Sequence, residues 1–162
     1  MSHWIGGKID NKCSIAELRK ALERIMPQWK EFIRVDPSGG LSIYNPYETN
    51  HFEPGFHIVI PGGQSPMGGK IPGVRAAPGL PYADIGIKQQ EDGSWTFRLD
   101  PAGLSEDARN IAGSVTREVG REKVERIVTQ AGGTITGQDR EGAKLKIRLL
   151  VPRSGSRGLM TL

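Results

Sequence analysis

The stretch "ADIGIKQQEDGSWTFRLD", residues 83–100, decides the reading of the fold. Ile85 and Ile87 alternate with Asp84, Gly86 and Lys88; Trp95, Phe97 and Leu99 alternate with Thr96, Arg98 and Asp100. Successive strand side chains point to opposite faces, so each run has one apolar and one polar side. Asp92-Gly93 supplies residue types that tolerate positive φ in a tight turn. The stretch therefore reads as a hairpin in an antiparallel sheet covered on its apolar side. Its outward residues Asp84, Lys88, Thr96 and Arg98 are mixed in sign and form no acid–base constellation. The hairpin is a sheet-forming element with an outer face open to recognition.

Upstream, "HWIGGKI" (3–9) suits a first strand. Ser14 and Glu17 have capping-box spacing, and Ile15, Leu18, Leu22 and Ile25 fall on one helical face. Pro27 stops the run, which predicts a helix over 14–26. Strands are expected over 31–35 and 41–44, joined by a turn at 37–40, and a buried strand over 56–60. Residues 61–81, "PGGQSPMGGKIPGVRAAPGLP", have no periodicity. A structureless loop of about 20 residues is functional or disordered more often than structural. Mobility, or ordering by a partner, is expected there.

Downstream, Ser105 can cap a second helix whose first turn carries Glu106 and Asp107. Ile111, Val115, Val119, Val124, Ile127 and Val128 trace its inner stripe, with a kink expected near Gly120 and an end at Gly132-Gly133. Residues 134–136 and 143–151 read as a closing hairpin, and 153–162 as a flexible basic tail. The sum is a single α+β domain over 1–152, an antiparallel sheet with two main helices packed on one face.

The 162 residues are enough to bury a hydrophobic core. The single cysteine, Cys13, excludes an internal disulfide and fits a reducing compartment. No apolar run approaches the ~18 residues that span a bilayer, and the N-terminus has no apolar signal core, so a cytoplasmic protein with no membrane partner is expected. The net charge is +4 and the pI about 9.4, which mildly favours an acidic partner.

Three stretches carry a resemblance: the opening "MSHW", "DIGIKQQEDGSWTFRLD" (84–100) and "REKVERIVTQAGGTITGQDREGAKLKIRLLV" (121–151). They resemble the conserved hypothetical chloroplast reading frame thirty-five family of red-algal plastids, cyanobacteria and other bacteria, a domain of unknown function. Residues 27–81 lie outside the resemblance. It implies a small soluble α+β protein working with an AAA+-type ATPase as protein partner, and it carries over no catalytic residue.

Among residues that bear chemistry, His51, Glu53 and His57 match no standard zinc spacing, and no metal or other cofactor is expected. Cys13 precedes a helix start, where a packing role outweighs a reactive thiol. Asp84 and Asp100 can face each other across the hairpin, most simply as solvated carboxylates. The glycine-rich loop lacks the order of a phosphate-binding loop. The clearest electrostatic feature is a stripe: Lys144, Lys146 and Arg148 alternate with Leu145, Ile147 and Leu149, and Arg153 follows. These residues, with Lys70 and Arg75 of the 61–81 loop, form the expected partner-binding set. The expected function is an accessory or interaction module. Nucleic-acid binding through the basic stripe is one alternative. A small enzyme with a site under the 61–81 loop is another.

Overall fold

The 83–100 hairpin forms with β6 Ile85–Gln89 and β7 Trp95–Leu99 antiparallel, Ile87 opposite Phe97. Gly93 takes the positive φ of the turn, +84°. The structure, a computed structural model, describes residues 5–9, 12–65, 76–141, 144–151 and 156–161. Strand β1 Ile5–Ile9 pairs with β7; β5 Ile58–Ile60 pairs with β6; β2 Arg34–Val35 pairs with β5. All pairings are antiparallel, in the order β1-β7-β6-β5-β2. The fold is α+β.

One face of this sheet is the expected apolar one. Ile9, Ile58, Ile60, Ile85, Ile87, Trp95, Phe97 and Leu99 are all buried on it. Helix α1 Ile15–Ile25 starts with the predicted capping box: Ser14 Oγ accepts from Glu17 N at 3.1 Å, and Ser14 N donates to Glu17 Oε2 at 3.3 Å. Leu18, Ala21 and Leu22 are buried, and the Trp95 indole donates to the Cys13 carbonyl at 3.0 Å, tying the helix start to the sheet. Cys13 is buried at this joint. The second helix divides at Asn110 into α2 Glu106–Arg109 and α3 Ile111–Gln130. The break lies there and not at Gly120, because Asn110 leaves helical geometry (φ −93°, ψ 13°) while α3 runs unbroken through the glycine. A glycine costs a helix only about 1 kcal/mol, which packing can override. Ala112 lies so close to β1 that a Cβ on Gly7 would meet it at 2.8 Å.

The opposite face departs from the sequence reading. It is covered in part by a second, two-stranded sheet, β3 Leu41–Tyr44 with β4 Phe52–Phe56. β4 was not expected, because "FEPGF" carries Pro54 and Gly55. Both are tolerated here: Pro54 sits in a strand paired on one side only, and Gly55 adopts φ +98°. The sheets meet at Gly86, where a Cβ would lie 2.5 Å from both Ile43 and Phe56. Ile43, Phe56 and Val59, with Leu41 beside them, form a small core.

The chain divides into two compact units, 1–116 and 117–162, where the sequence suggested one domain over 1–152; the boundary falls inside α3. In the second unit, β8 Thr134–Glu141, β9 Lys144–Val151 and β10 Ser156–Thr161 form an antiparallel sheet in the order β10-β9-β8. Val124 and Val128 of α3 pack with Ile147, and Ile135 lies against them. β8 runs five residues beyond the expected 134–136, and the expected flexible tail instead contributes β10.

Candidate functional site

The site is built from two aspartates at the ends of the central hairpin. Both were read as solvated, and both are buried, Asp84 at 2% and Asp100 at 3% exposure. Asp84 Oδ1 accepts from Gly62 N (2.8 Å), and Oδ2 accepts from Tyr44 N (2.9 Å) and the Ser65 hydroxyl (3.2 Å). Its own N–H donates to the Tyr44 carbonyl at 3.0 Å. Burial pushes the Asp84 carboxyl up to about 6; the donors from Gly62, Tyr44 and Ser65 and the charge of Arg34 act against that rise. Asp100 accepts from Asn45 Nδ2 and Ala102 N, each at 2.9 Å. The aspartates are therefore structural acceptors with separate partners.

Asn45 passes this anchoring on to the β3–β4 tip. It is fully buried. Its N–H donates to the His51 carbonyl (2.9 Å), its carbonyl accepts from His51 Nδ1 (3.2 Å) and its Oδ1 accepts from Tyr47 N (2.9 Å). The 45–51 loop is closed upon one residue, through its backbone and its Oδ1, and the side-chain amide of that residue is fixed by Asp100. Such a loop loses little further freedom on binding.

Aromatic rings crowd this end. Tyr44 packs against His51 and Phe52, with centroids 5.7 and 5.1 Å apart, and Tyr47 meets Tyr82 edge-on at 5.6 Å. Tyr47 is 51% exposed and Phe52 50%. Next to Phe52 lies an open depression of about 240 Å³ lined by Glu48, Asn50, Phe52, Glu53, Pro54 and Arg98. Glu53 holds Arg98 at 2.9 Å and Lys88 at 3.7 Å, and Lys88 sits 5.3 Å from the Phe56 ring centroid. The outward residues of the central hairpin thus anchor β4.

The other candidate residues are dispersed. His51 belongs to the tip loop and Glu53 to the Arg98–Lys88 pairing. His57 Nδ1 accepts from Gln89 N at 3.2 Å, and its ring meets Trp95 edge-on. No group of three His, Cys, Asp or Glu suited to a metal occurs among the described residues. The 61–81 loop is held at both ends: Gly63 N donates to Leu80 O, Gln64 N to Tyr82 O, Ala77 N to Pro61 O, and the Trp29 indole to Pro78 O. Lys70 and Arg75 lie outside the described residues, as do Arg153 and the opening residues 1–4.

Of the basic stripe along β9, the side chains of 146–148 are described. Ile147 is buried, Lys146 half-buried and Arg148 exposed. The strand register adds what the alternation could not give. Lys144 lies opposite Glu141, Lys146 opposite Asp139, and Arg148 opposite Gly137 and Leu159. Residues of opposite charge type thus share register with two of the three cations.

Sequence reasoning missed the tip. One signal was available: residues 44–56 hold Tyr44, Tyr47, Phe52 and Phe56, four of the seven Tyr and Phe residues in the chain. No family model, curated protein or solved structure matches the chain.

Proposed function

We propose that the chain is an accessory module that binds a protein partner through the Tyr47–Phe52 end of the β3–β4 hairpin. The observation that carries this reading is two half-exposed aromatics, Tyr47 in the 45–51 loop and Phe52 at the start of β4, on a hairpin end fixed by the buried residues Asn45, Asp84 and Asp100. Aromatic side chains on a preorganised support are the anchors that dominate protein interfaces. An enzymatic reading finds less support, because the carboxylate with the perturbed affinity for protons, Asp84, is buried and engaged by backbone and Ser65. An AAA+-type ATPase as the partner is supported by the family resemblance alone. The expected set Lys144, Lys146, Arg148, Arg153, Lys70 and Arg75 stands as a second contact region; of its two described side chains, Arg148 is exposed and Lys146 half-buried. No helix among the described residues is long and apolar enough to cross a membrane. A cytoplasmic location is part of the proposal, supported by the single cysteine.

In-cell photo-crosslinking tests it. A photoreactive residue at position 47 or 52 should give a discrete protein adduct, and one at exposed Lys20 of α1 or Gln89 of β6 should not. Adducts to nucleic acid, or adducts from 20 and 89 alone, would overturn the reading.

A further inference from the structure

The depression beside Phe52 has a definite charge pattern. Its lining carries two carboxylates, Glu48 and Glu53, against one guanidinium, Arg98. Glu53 is matched by Arg98 and Lys88. Glu48 has no ion pair among the described residues. The apolar part of the lining is the half-exposed Phe52 ring and Pro54. At about 240 Å³ the space is below the range of small-molecule sites, ~300–1,000 Å³, and suits one long side chain.

We propose that this depression takes a lysine or arginine side chain of the partner protein, its stem against Phe52 and Pro54 and its cation at Glu48. The proposal rests on the recognition reading of the tip and names its chemistry. Long cationic side chains lay an apolar stem on apolar surface and carry the charge to a polar rim. A cation over a partly exposed aromatic ring gains a further attraction. An anionic group would face Glu48, which sets phosphate-bearing partners against this end of the molecule.

The test is an NMR titration of the full chain with three blocked amino acids: N-acetyl-arginine amide, N-acetyl-norleucine amide and N-acetyl-glutamate amide. The arginine probe should move the backbone resonances of 48–54 saturably at millimolar concentration. The norleucine probe should bind several-fold more weakly, and the glutamate probe should not bind. Glu48→Gln, which removes the charge and keeps the shape, should weaken the arginine probe by about threefold, and Phe52→Ala by about two- to fivefold. Equal binding of norleucine and arginine would overturn the cationic assignment and leave the recognition reading intact. Absence of saturable shifts with every probe would also overturn it. The recognition reading is decided separately by the crosslinks, which require no choice of ligand chemistry.

Discussion

The two faces of the five-stranded sheet are covered by different means. Beneath α1 and the start of α3, the Ile, Trp, Phe and Leu side chains of the strands are buried, and packing there follows from alternation. On the other face β1 and the central hairpin present Gly6, Lys8, Gly86, Lys88, Thr96 and Arg98, which look solvated. Yet β3–β4 lies against it, with Ile43 and Phe56 filling the space above Gly86 and Glu53 meeting the cations. Alternation reports the polarity of a face, not whether anything rests on it. A glycine within a polar row is the sign that another layer can approach.

The largest expected effect belongs to the first face. Phe97→Ala should lower stability by about 3–5 kcal/mol, seen as a shifted denaturation midpoint with the whole first unit losing protection together. Loss of protection confined to β3–β4 would show that the faces are less distinct than described.

The second prediction concerns pH. The Asp84 carboxyl is raised from 3.8 to about 6 by burial, so the folded state holds this proton more tightly than the unfolded chain. Its contribution to stability is therefore complete below pH ~4 and is lost as pH rises through about 6, an effect on the order of 3 kcal/mol. Asp36 and Asp92 are lowered by hydrogen bonds from Ser38 and Ser94, and they act in the opposite sense. The check is the difference in unfolding free energy between wild type and Asp84→Asn from pH 4 to 7. It should change in favour of the variant as pH rises. A flat difference would remove Asp84 as the buried acid.

The third prediction breaks the second face alone. Gly86→Val drives a side chain into Ile43 and Phe56 and should cost about 1–3 kcal/mol. Amide exchange should quicken over 41–56 while 95–99 stays protected. Uniform quickening would contradict a separable second layer.

The smallest effect is in the second unit. Lys146→Glu sets like charge types opposite each other at Asp139 and should cost about 0.2–1 kcal/mol. Arg148→Glu, opposite Gly137 and Leu159, should stay within about 0.5 kcal/mol of wild type. Equal costs in urea denaturation would show that register has no bearing on the stripe.

Much of the scaffold was legible in local pattern. The capping box of Ser14 and Glu17, the Asp92-Gly93 turn and the alternation of 85–99 each act over a few residues, and each forms as read. β4 was hidden because Pro54 and Gly55 argue against a strand unless its outer edge is unpaired. β10 was hidden because "SRGLMT" is short and interrupted by glycine. The candidate site was the least legible part. Tyr44 bonds Asp84 across 40 positions and Asn45 bonds Asp100 across 55, so neither aspartate's burial has a local signature. The aromatic density of 44–56 was visible; its fixation was not.

The most direct measurement of the central claim is the double substitution Tyr47→Ala with Phe52→Ala, read for stability and for capture of the crosslinked partner in parallel. Both side chains stand half in solvent at a hairpin end held from within. Stability should change by no more than about 1 kcal/mol in total while capture is lost. A lowered denaturation midpoint with capture retained would contradict the account, and would make these aromatics part of the core rather than the surface that meets a partner.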